Sequence, residues 1–247
     1  MKRLLLAALL ALASPAVLAA DKPTIDDLLN ATDDVQRGES STGIMSMHIK
    51  TARYERTVKM QMWTEGTEKS LIRILEPPKE AGMCTLKVDD NIWNYLPKVD
   101  RTMKLPASMM SGGWMGSHIT NDDLVKQNRL ADEFDAELTS EPGVDGADHY
   151  TVVLVPKPDA AVVWGQIVVK VRPDLIPLSI SYHDEDLSLV RTMSFHDVQE
   201  VSGQKIPMRF RVEPADKSGE FTEITYSELR FDVDIPASTF SLQALRK

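Results

Sequence analysis

Apolar and polar residues alternate with a period of two over most of this chain, and no series of long helical segments is interleaved with them. Such alternation predicts β-strands with one buried face. Without interleaved helices, a doubly wound α/β sheet is excluded, and consecutive antiparallel strands in a curved sheet or barrel are favoured. The predicted strands are 44–50, 54–64, 69–75, 83–88, 92–96, 134–139, 149–155, 162–171, 178–183, 189–198, 207–212 and 221–231.

The first 20 residues have the layout of a cleaved secretory signal. Lys2 and Arg3 precede an apolar run that begins at Leu4, and small residues lead from it to Asp21. The apolar run is too short to span a bilayer, although a membrane anchor is the alternative interpretation. We therefore expect a signal peptide over residues 1–20, a single domain over residues 21–247 and a location in the periplasm.

The charge balance excludes some classes of partner. The chain has 28 Lys and Arg residues against 37 Asp and Glu residues, which gives a net charge of −9. Because nucleic-acid binding requires a basic surface, a nucleic-acid partner is not expected. Cys84 is the only cysteine. An intramolecular disulfide is therefore impossible, and Cys84 is predicted to be a small buried residue.

Two segments depart from the strand pattern. A capping residue, Thr24, opens a short amphipathic helix that is predicted to end near Arg37. The segment 105–116 contains Met109, Met110, Trp114 and Met115, interrupted by serine and glycine, and Thr120 then starts another helix. Methionine adapts to irregular apolar partners, and glycine lets a segment hinge. The segment is therefore predicted to be either a lid over an apolar cavity or a plug that completes the core.

The sequence offers little support for catalysis. No two of the five histidines have metal-ligand spacing, and no phosphate loop or serine-nucleophile motif occurs. Ser117 and His118 are neighbours, and an imidazole cannot easily fold back onto the adjacent serine. We therefore expect no catalytic residue, no metal and no cofactor. A hydrolase that uses the region of Ser117 and His118 is the less favoured alternative.

Several motifs together indicate a family. They lie at 76–82, 90–97 with its Trp-Asn-Tyr-Leu-Pro sequence, 101–110, 114–117 and 121–124. In these motifs the chain resembles the LolA-like outer-membrane lipoprotein-sorting proteins, in a longer branch distinct from the LolA carrier itself. The carrier lacks the methionine-rich segment, and Arg73 is the nearest counterpart of its functional arginine.

The resemblance implies a mainly β fold, an incomplete antiparallel β-barrel whose open side is covered by helices. It also implies an apolar cavity that holds acyl chains. The expected function is that of a monomeric periplasmic carrier of lipid or lipoprotein acyl chains towards the outer membrane, in partnership with an inner-membrane RND (MMPL-type) or ABC exporter. The alternative is an exporter accessory domain that binds a protein partner without lipid cargo.

The strand alternation and the methionine-rich segment select the residues that would line the cavity. Side chains two positions apart share one face of a strand, and plain core packing is the alternative role for each of them. The predicted lipid-binding residues are Val58, Met60, Met62, Ile72, Ile74, Leu86, Val88, Trp93, Tyr95, Met109, Met110, Trp114 and Met115.

Overall fold

The computed structural model describes residues 22–33, 38–126, 130–160 and 162–246, so the predicted signal peptide lies outside the described residues. Within these ranges the fold is mainly β, as predicted, and consists of one antiparallel sheet of 13 strands. The strands are β1 (Ser40–Lys50), β2 (Glu55–Glu65), β3 (Lys69–Glu76), β4 (Cys84–Val88), β5 (Asn91–Leu96), β6 (Arg101–Lys104), β7 (Phe134–Ser140), β8 (Tyr150–Pro156), β9 (Gln166–Val171), β10 (Pro177–His183), β11 (Leu189–Val201), β12 (Gln204–Pro214) and β13 (Phe221–Phe231).

The sheet is curved but not closed. Its strand order is β6-β5-β4-β3-β2-β1-β13-β12-β11-β10-β9-β8-β7, so β6 and β7 are free edges. In a flat sheet β3 and β9 would lie about 34 Å apart, at about 4.8 Å per strand. Ile72 of β3 and Ile167 of β9 nevertheless border the same cavity. The sheet therefore curls into an incomplete barrel, which confirms the predicted fold.

The inner face of the sheet carries the main hydrophobic core. Met47, Val58 and Val169 on three different strands are fully buried there. Helix α1 (Ile25–Asp33) packs its Leu28 and Leu29 into this core. The predicted cap of this helix is present, since Thr24 and Asp27 exchange hydrogen bonds between backbone N–H groups and side-chain oxygens.

Two further helices, α2 (Asn121–Lys126) and α3 (Leu130–Glu133), follow the methionine-rich segment. Leu124 of α2 and Leu130 of α3 pack against the inner core. Helix α3 also contacts α1 and β7. All three helices therefore contribute to the inner core, in agreement with the expectation that helices cover the open side of the barrel.

The outer face of the sheet has a smaller core of its own. Leu71 and Leu86 pack there against Leu245 from the C-terminal segment, which forms 3-10 turns at Ala237–Phe240 and Ala244–Arg246. Arg73 fastens this segment, because its Nη2 donates to the carbonyl oxygen of Ala244 at 2.7 Å. The C-terminal segment therefore covers apolar surface that β3 and β4 would otherwise expose.

Several strand bounds differ from the sequence-based prediction, and two of the differences have a clear local cause. Strand β6 was not predicted, since Arg101–Lys104 is short and lacks apolar alternation. Strand β9 begins at Gln166 rather than at Val162. Gly165 passes so close to the next hairpin that an added Cβ would lie 2.3 Å from the carbonyl oxygen of Asp184. Residues 162–164 therefore form a loop before the strand.

The outer core gives a direct test of stability. Leu245 is 1% exposed, whereas Leu242 in the same segment is 49% exposed. We expect Leu245→Ala to lower the free energy of unfolding by about 3 kcal/mol, because it leaves a cavity in a packed core. Leu242→Ala should change it by less than about 0.5 kcal/mol. Urea unfolding measures both, and equal effects would show that the C-terminal segment is not docked.

Candidate functional site

The main cavity lies between the inner face of the sheet, the helices and the loop 162–164. Its volume is about 1530 Å³, including the part that opens to solvent. The lining is predominantly apolar and aromatic and comes from both halves of the sheet. It comprises Met45, Met62, Ile72, Trp114, Ile119, Leu124, Leu130, Phe134, Val162, Val163, Trp164, Ile167, Ile180, Tyr182, Met193, Phe195, Phe210, Ile224 and Tyr226, with the polar residues Thr32, Thr64, Ser70, Asp122, Asp123 and Glu133.

The acidic side chains of the lining come from the helices rather than from the sheet. Asp122 and Asp123 belong to α2 and Glu133 to α3, and all three are partly exposed. Val163, which is 67% exposed, also borders the cavity. The cavity therefore reaches solvent near the helices and the loop 162–164, where its border is polar, while the sheet forms its apolar floor.

Arg191 of β11 joins the sheet to α2. It is 6% exposed, and its Nη1 and Nη2 donate to the two carboxylate oxygens of Asp123 at 2.7 and 2.6 Å. The guanidinium also lies against the rings of Trp164 and Tyr182, at 4.9 and 4.4 Å from their centroids. Burial acts to lower the pKa of Arg191, but the hydrogen bonds and charge of Asp123 outweigh it and raise that pKa.

The methionine-rich segment (residues 105–116) and the four residues after it close one end of the curved sheet, and we call residues 105–120 the cap segment. Its backbone folds back on itself, since Trp114 N–H donates to the Ile119 carbonyl at 2.7 Å. Two side chains near the start of β2 hold it, because the Tyr54 hydroxyl donates to the carbonyl of Gly116 and Arg56 Nη2 donates to that of Met115. These contacts keep the cap segment closed in this structure, and its opening as a lid stays a prediction.

A hydrogen-bonded chain ties His118 of the cap segment to the start of β13. The backbone N–H of His118 donates to Thr222 Oγ1, so the threonine hydroxyl can donate to His118 Nδ1 at 2.9 Å. His118 Nε2 then donates to Glu220 Oε2 at 3.0 Å. This bond, together with one from the backbone N–H of Ala52, lowers the pKa of Glu220. The hydroxyl of Thr222 is fully buried, which keeps substrates away from it.

Ser117 and His118 do not face each other as a nucleophile and base would. Ser117 Oγ accepts from the backbone N–H of Ile119 at 3.1 Å, while the imidazole of His118 is held by Thr222 and Glu220. Across the described residues, no three His, Cys, Asp or Glu side chains are grouped to bind a metal ion. No helix in the same ranges has the length and hydrophobicity to span a membrane.

A second cavity lies at the edge of the sheet, under the cap segment. Its volume is about 730 Å³, including space open to solvent. Ile72 and Trp114 border both cavities and so form the wall between them. The remaining border of the second cavity consists of Ile74, Met83, Cys84, Thr85, Asn94, Tyr95, Leu96, Met103, Leu105, Met109, Gly113, Met115 and Asn121.

The structure separates the predicted lipid-binding residues into different environments. Met62, Ile72 and Trp114 border the main cavity, and Ile74, Tyr95, Met109 and Met115 border only the second. Val58 and Met60 are fully buried in the inner core and lie outside the described lining of either cavity, as does the partly buried Met110.

Three of the predicted lipid-binding residues, Leu86, Val88 and Trp93, lie on the outer face of the sheet, away from the inner-face lining. Leu86 pairs with Trp93 and, like Val88, belongs to the outer core around Leu245. Tyr95 packs in the same outer core as well as bordering the second cavity. Alternation shows which residues of one strand share a face, but it does not show which face points inward. The expectation of one common lining face is therefore wrong for Leu86, Val88 and Trp93.

The sequence analysis missed the lining residues of the second half of the chain. Ile180 and Tyr182, Met193 and Phe195, and Ile224 and Tyr226 are pairs with a spacing of two on neighbouring parts of the sheet. The same alternation that marked the first strands would have identified them. Arg73, the nearest candidate for a counterpart of the carrier's arginine, lies on the outer face, opposite Cys84. Burial raises the pKa of that cysteine, although Arg73 opposes the effect.

Comparisons with known proteins support a common fold. The protein-family model that matches the chain has the description "Uncharacterized protein" and covers residues 66–247. A search among curated proteins gave no match. A solved DUF1329 family protein from Desulfovibrio piger is 28% identical, with a TM-score of 0.77 over 89% of this chain and 96% of that protein.

Two solved structures with lower identity share this fold. An outer membrane lipoprotein-sorting protein domain from Vibrio parahaemolyticus is 20% identical, with a TM-score of 0.74 over 90% of this chain and 97% of that domain. A LolA superfamily protein from Nitrosomonas europaea is 21% identical, with a TM-score of 0.72 over 90% of this chain and 99% of that protein. The match extends over nearly the full length of both structures.

The pair of Arg191 and Asp123 predicts a large effect on stability. Asp123→Ala leaves a buried guanidinium without its carboxylate, which should lower the free energy of unfolding by about 3 kcal/mol. Asp123 also caps α2 by exchanging hydrogen bonds with Thr120. Thr120→Ala, which removes only the capping hydroxyl, should cost about 1 kcal/mol.

A double replacement separates the charge effect from packing. Arg191→Met combined with Asp123→Leu should recover most of the stability lost in Asp123→Ala, because no buried charge is left unpaired. Thermal and urea unfolding of the wild type and the three variants measure these differences. If Asp123→Ala costs no more than Thr120→Ala, the ion pair does not hold α2 on the sheet.

Proposed function

Because the chain belongs to the LolA-like family of outer-membrane lipoprotein-sorting proteins, we propose that it is a carrier for the acyl chains of a lipid or lipoprotein. The acyl chains would occupy the main cavity. The protein would act in the periplasm as a monomer, receive its cargo from an inner-membrane RND (MMPL-type) or ABC exporter and pass it towards the outer membrane. Binding and release require no covalent step.

The observation that carries this proposal is the apolar floor of the main cavity. Met193, Phe210 and Ile224 project into it from three adjacent strands of the inner face. Burial of one methylene is worth about 0.8 kcal/mol, so a 16-carbon chain left in water costs on the order of 10 kcal/mol. An apolar cavity offsets this cost. Because burial is non-directional, the cargo can also leave again.

The polar border of the cavity supports an orientation for the cargo. Asp122 and Glu133 lie near the opening, beside the exposed Val163. An acyl chain would lie along the floor, and its polar headgroup or attached protein would stay at this opening in contact with water. This arrangement leaves the headgroup accessible to a donor or acceptor, as a carrier requires.

Extraction of lipid from the purified protein distinguishes a lipid carrier from a protein without lipid cargo. The protein is prepared without detergent, extracted with organic solvent and analysed by mass spectrometry. The proposal predicts co-purified species with fatty acyl chains. A preparation free of lipid that also fails to bind added fatty acid would favour the accessory domain that binds only a protein partner. Turnover of an acyl ester that is lost in His118→Ala would favour the hydrolase.

A charge placed in the main cavity should weaken acyl-chain binding. Phe195 of β11 is partly buried and borders this cavity, whereas its neighbour Ser194 faces the other way, opposite Arg211. Phe195→Asp puts an unpaired carboxylate against the acyl chain and should weaken binding of a fluorescent 16-carbon fatty acid at least about tenfold.

The matched control adds the same charge outside the cavity. Ser194→Asp should bind the fatty acid as the wild type does, since its carboxylate lies on the outer face. Circular dichroism and thermal unfolding verify that both variants are folded. If folded Phe195→Asp binds as tightly as Ser194→Asp, the main cavity is not the acyl-chain site.

A further inference from the structure

The second cavity is bordered mainly by flexible apolar side chains. Met83, Met103 and Met115 contribute thioether side chains, and Ile74 and Leu105 add branched ones. Protein interiors seldom contain voids much larger than a water molecule. Apolar cavities that do exist stay dry and accept apolar ligands. Methionine adjusts its shape to such ligands, so this border suits a chain without a fixed outline.

The polar groups around the second cavity are paired with one another. Trp114 Nε1 donates to Thr85 Oγ1 at 3.2 Å, and Thr85 Oγ1 in turn donates to Asn94 Oδ1 at 2.8 Å. The side-chain amide of Asn121 donates to the carbonyls of Met109 and Gly112, both at 3.0 Å. These bonds engage the Trp114 indole N–H, the Thr85 hydroxyl and the Asn121 amide nitrogen, so these groups are less available to recognise a polar ligand. The cavity therefore favours a hydrocarbon occupant.

The second cavity has its own route to solvent and its own wall. Met109 borders the cavity and is 54% exposed, so the cavity reaches the surface beside this residue. On the other side, Ile72 and the 2% exposed ring of Trp114 separate it from the main cavity. Ile72 is fixed on β3, whereas Trp114 belongs to the cap segment. The two cavities are therefore separate compartments with a wall of two side chains.

We propose that the second cavity is a second acyl-chain site, divided from the main cavity by Trp114. The protein then holds two hydrocarbon chains at once, one in each compartment. This inference rests on the proposed carrier function and makes it more specific, because it assigns to the cargo more than one acyl chain. It also gives the cap segment a role as the roof and inner wall of the second site.

Counting bound chains tests this inference. Equilibrium dialysis with radiolabelled palmitate should give about two molar equivalents for the delipidated wild-type protein. Met103 of β6 faces the second cavity, and Met193 of β11 faces the main cavity. Met103→Trp and Met193→Trp make the same substitution in different compartments. Each should reduce the count to about one equivalent by filling one site.

A control variant and the competing outcomes keep the two proposals distinguishable. Thr102 lies outside the described lining of the second cavity, and it pairs with Tyr95, which packs in the outer core. Thr102→Trp should therefore retain about two equivalents. A single equivalent in the wild type, lost in Met193→Trp and kept in Met103→Trp, would overturn the second site and leave the carrier function intact. Two equivalents that survive in folded Met103→Trp would also overturn it. No palmitate bound by the wild type would contradict both proposals.

Discussion

The curvature of the sheet is the constraint on which the other features depend. The sheet curls until strands from its two halves border one cavity, so its inner face is concave. The residues on this face are predominantly apolar. Such a face must be covered, and α1 with its Leu28 and Leu29 covers part of it. The outer face is covered by another element, since Leu245 of the C-terminal segment packs on β3 and β4. The uncovered part of the inner face is the main cavity.

Polar contacts, in addition to apolar packing, fasten the elements that close the cavities. Arg191 of β11 bonds Asp123 of α2. Tyr54 and Arg56 bond backbone carbonyls of the cap segment, and Glu220 bonds the side chain of its His118. Hydrogen bonds of this kind are directional and define a closed geometry. They also exchange with water more easily than a packed apolar interface does, so they are compatible with a segment that opens for cargo.

The sequence was sufficient for the fold because strand alternation and turn residues are local signals. Twelve strands were predicted from the period of two. The edge strand β6 was not predicted, because its four residues begin and end with a charged side chain and are too few to show alternation. The cavity was harder to predict. Val58 and Met62 share a face, and both face inward, but only Met62 borders the cavity. Leu86 and Trp93 show the same alternation, but on their strands this apolar face lies on the outer side of the sheet.

The contacts that define the site depend on pairing between distant parts of the chain. Arg191 and Asp123 are 68 residues apart, and His118 and Glu220 are 102 residues apart. No local pattern marks such pairs, since each member alone resembles an ordinary surface charge. The registers of β11 and β13 and the fold of the cap segment bring them together. Sequence reasoning therefore located the cap segment but not its anchoring partners.

The most direct test of the account is the crystal structure of the protein with a brominated 16-carbon fatty acid, in which anomalous scattering locates the bromine. We expect bromine inside the curved sheet, near Met193 and Ile224 of the main cavity floor. Bromine on the outer face, or bound only at the protein surface while the main cavity stays empty, would contradict the claim that the inner face carries acyl chains.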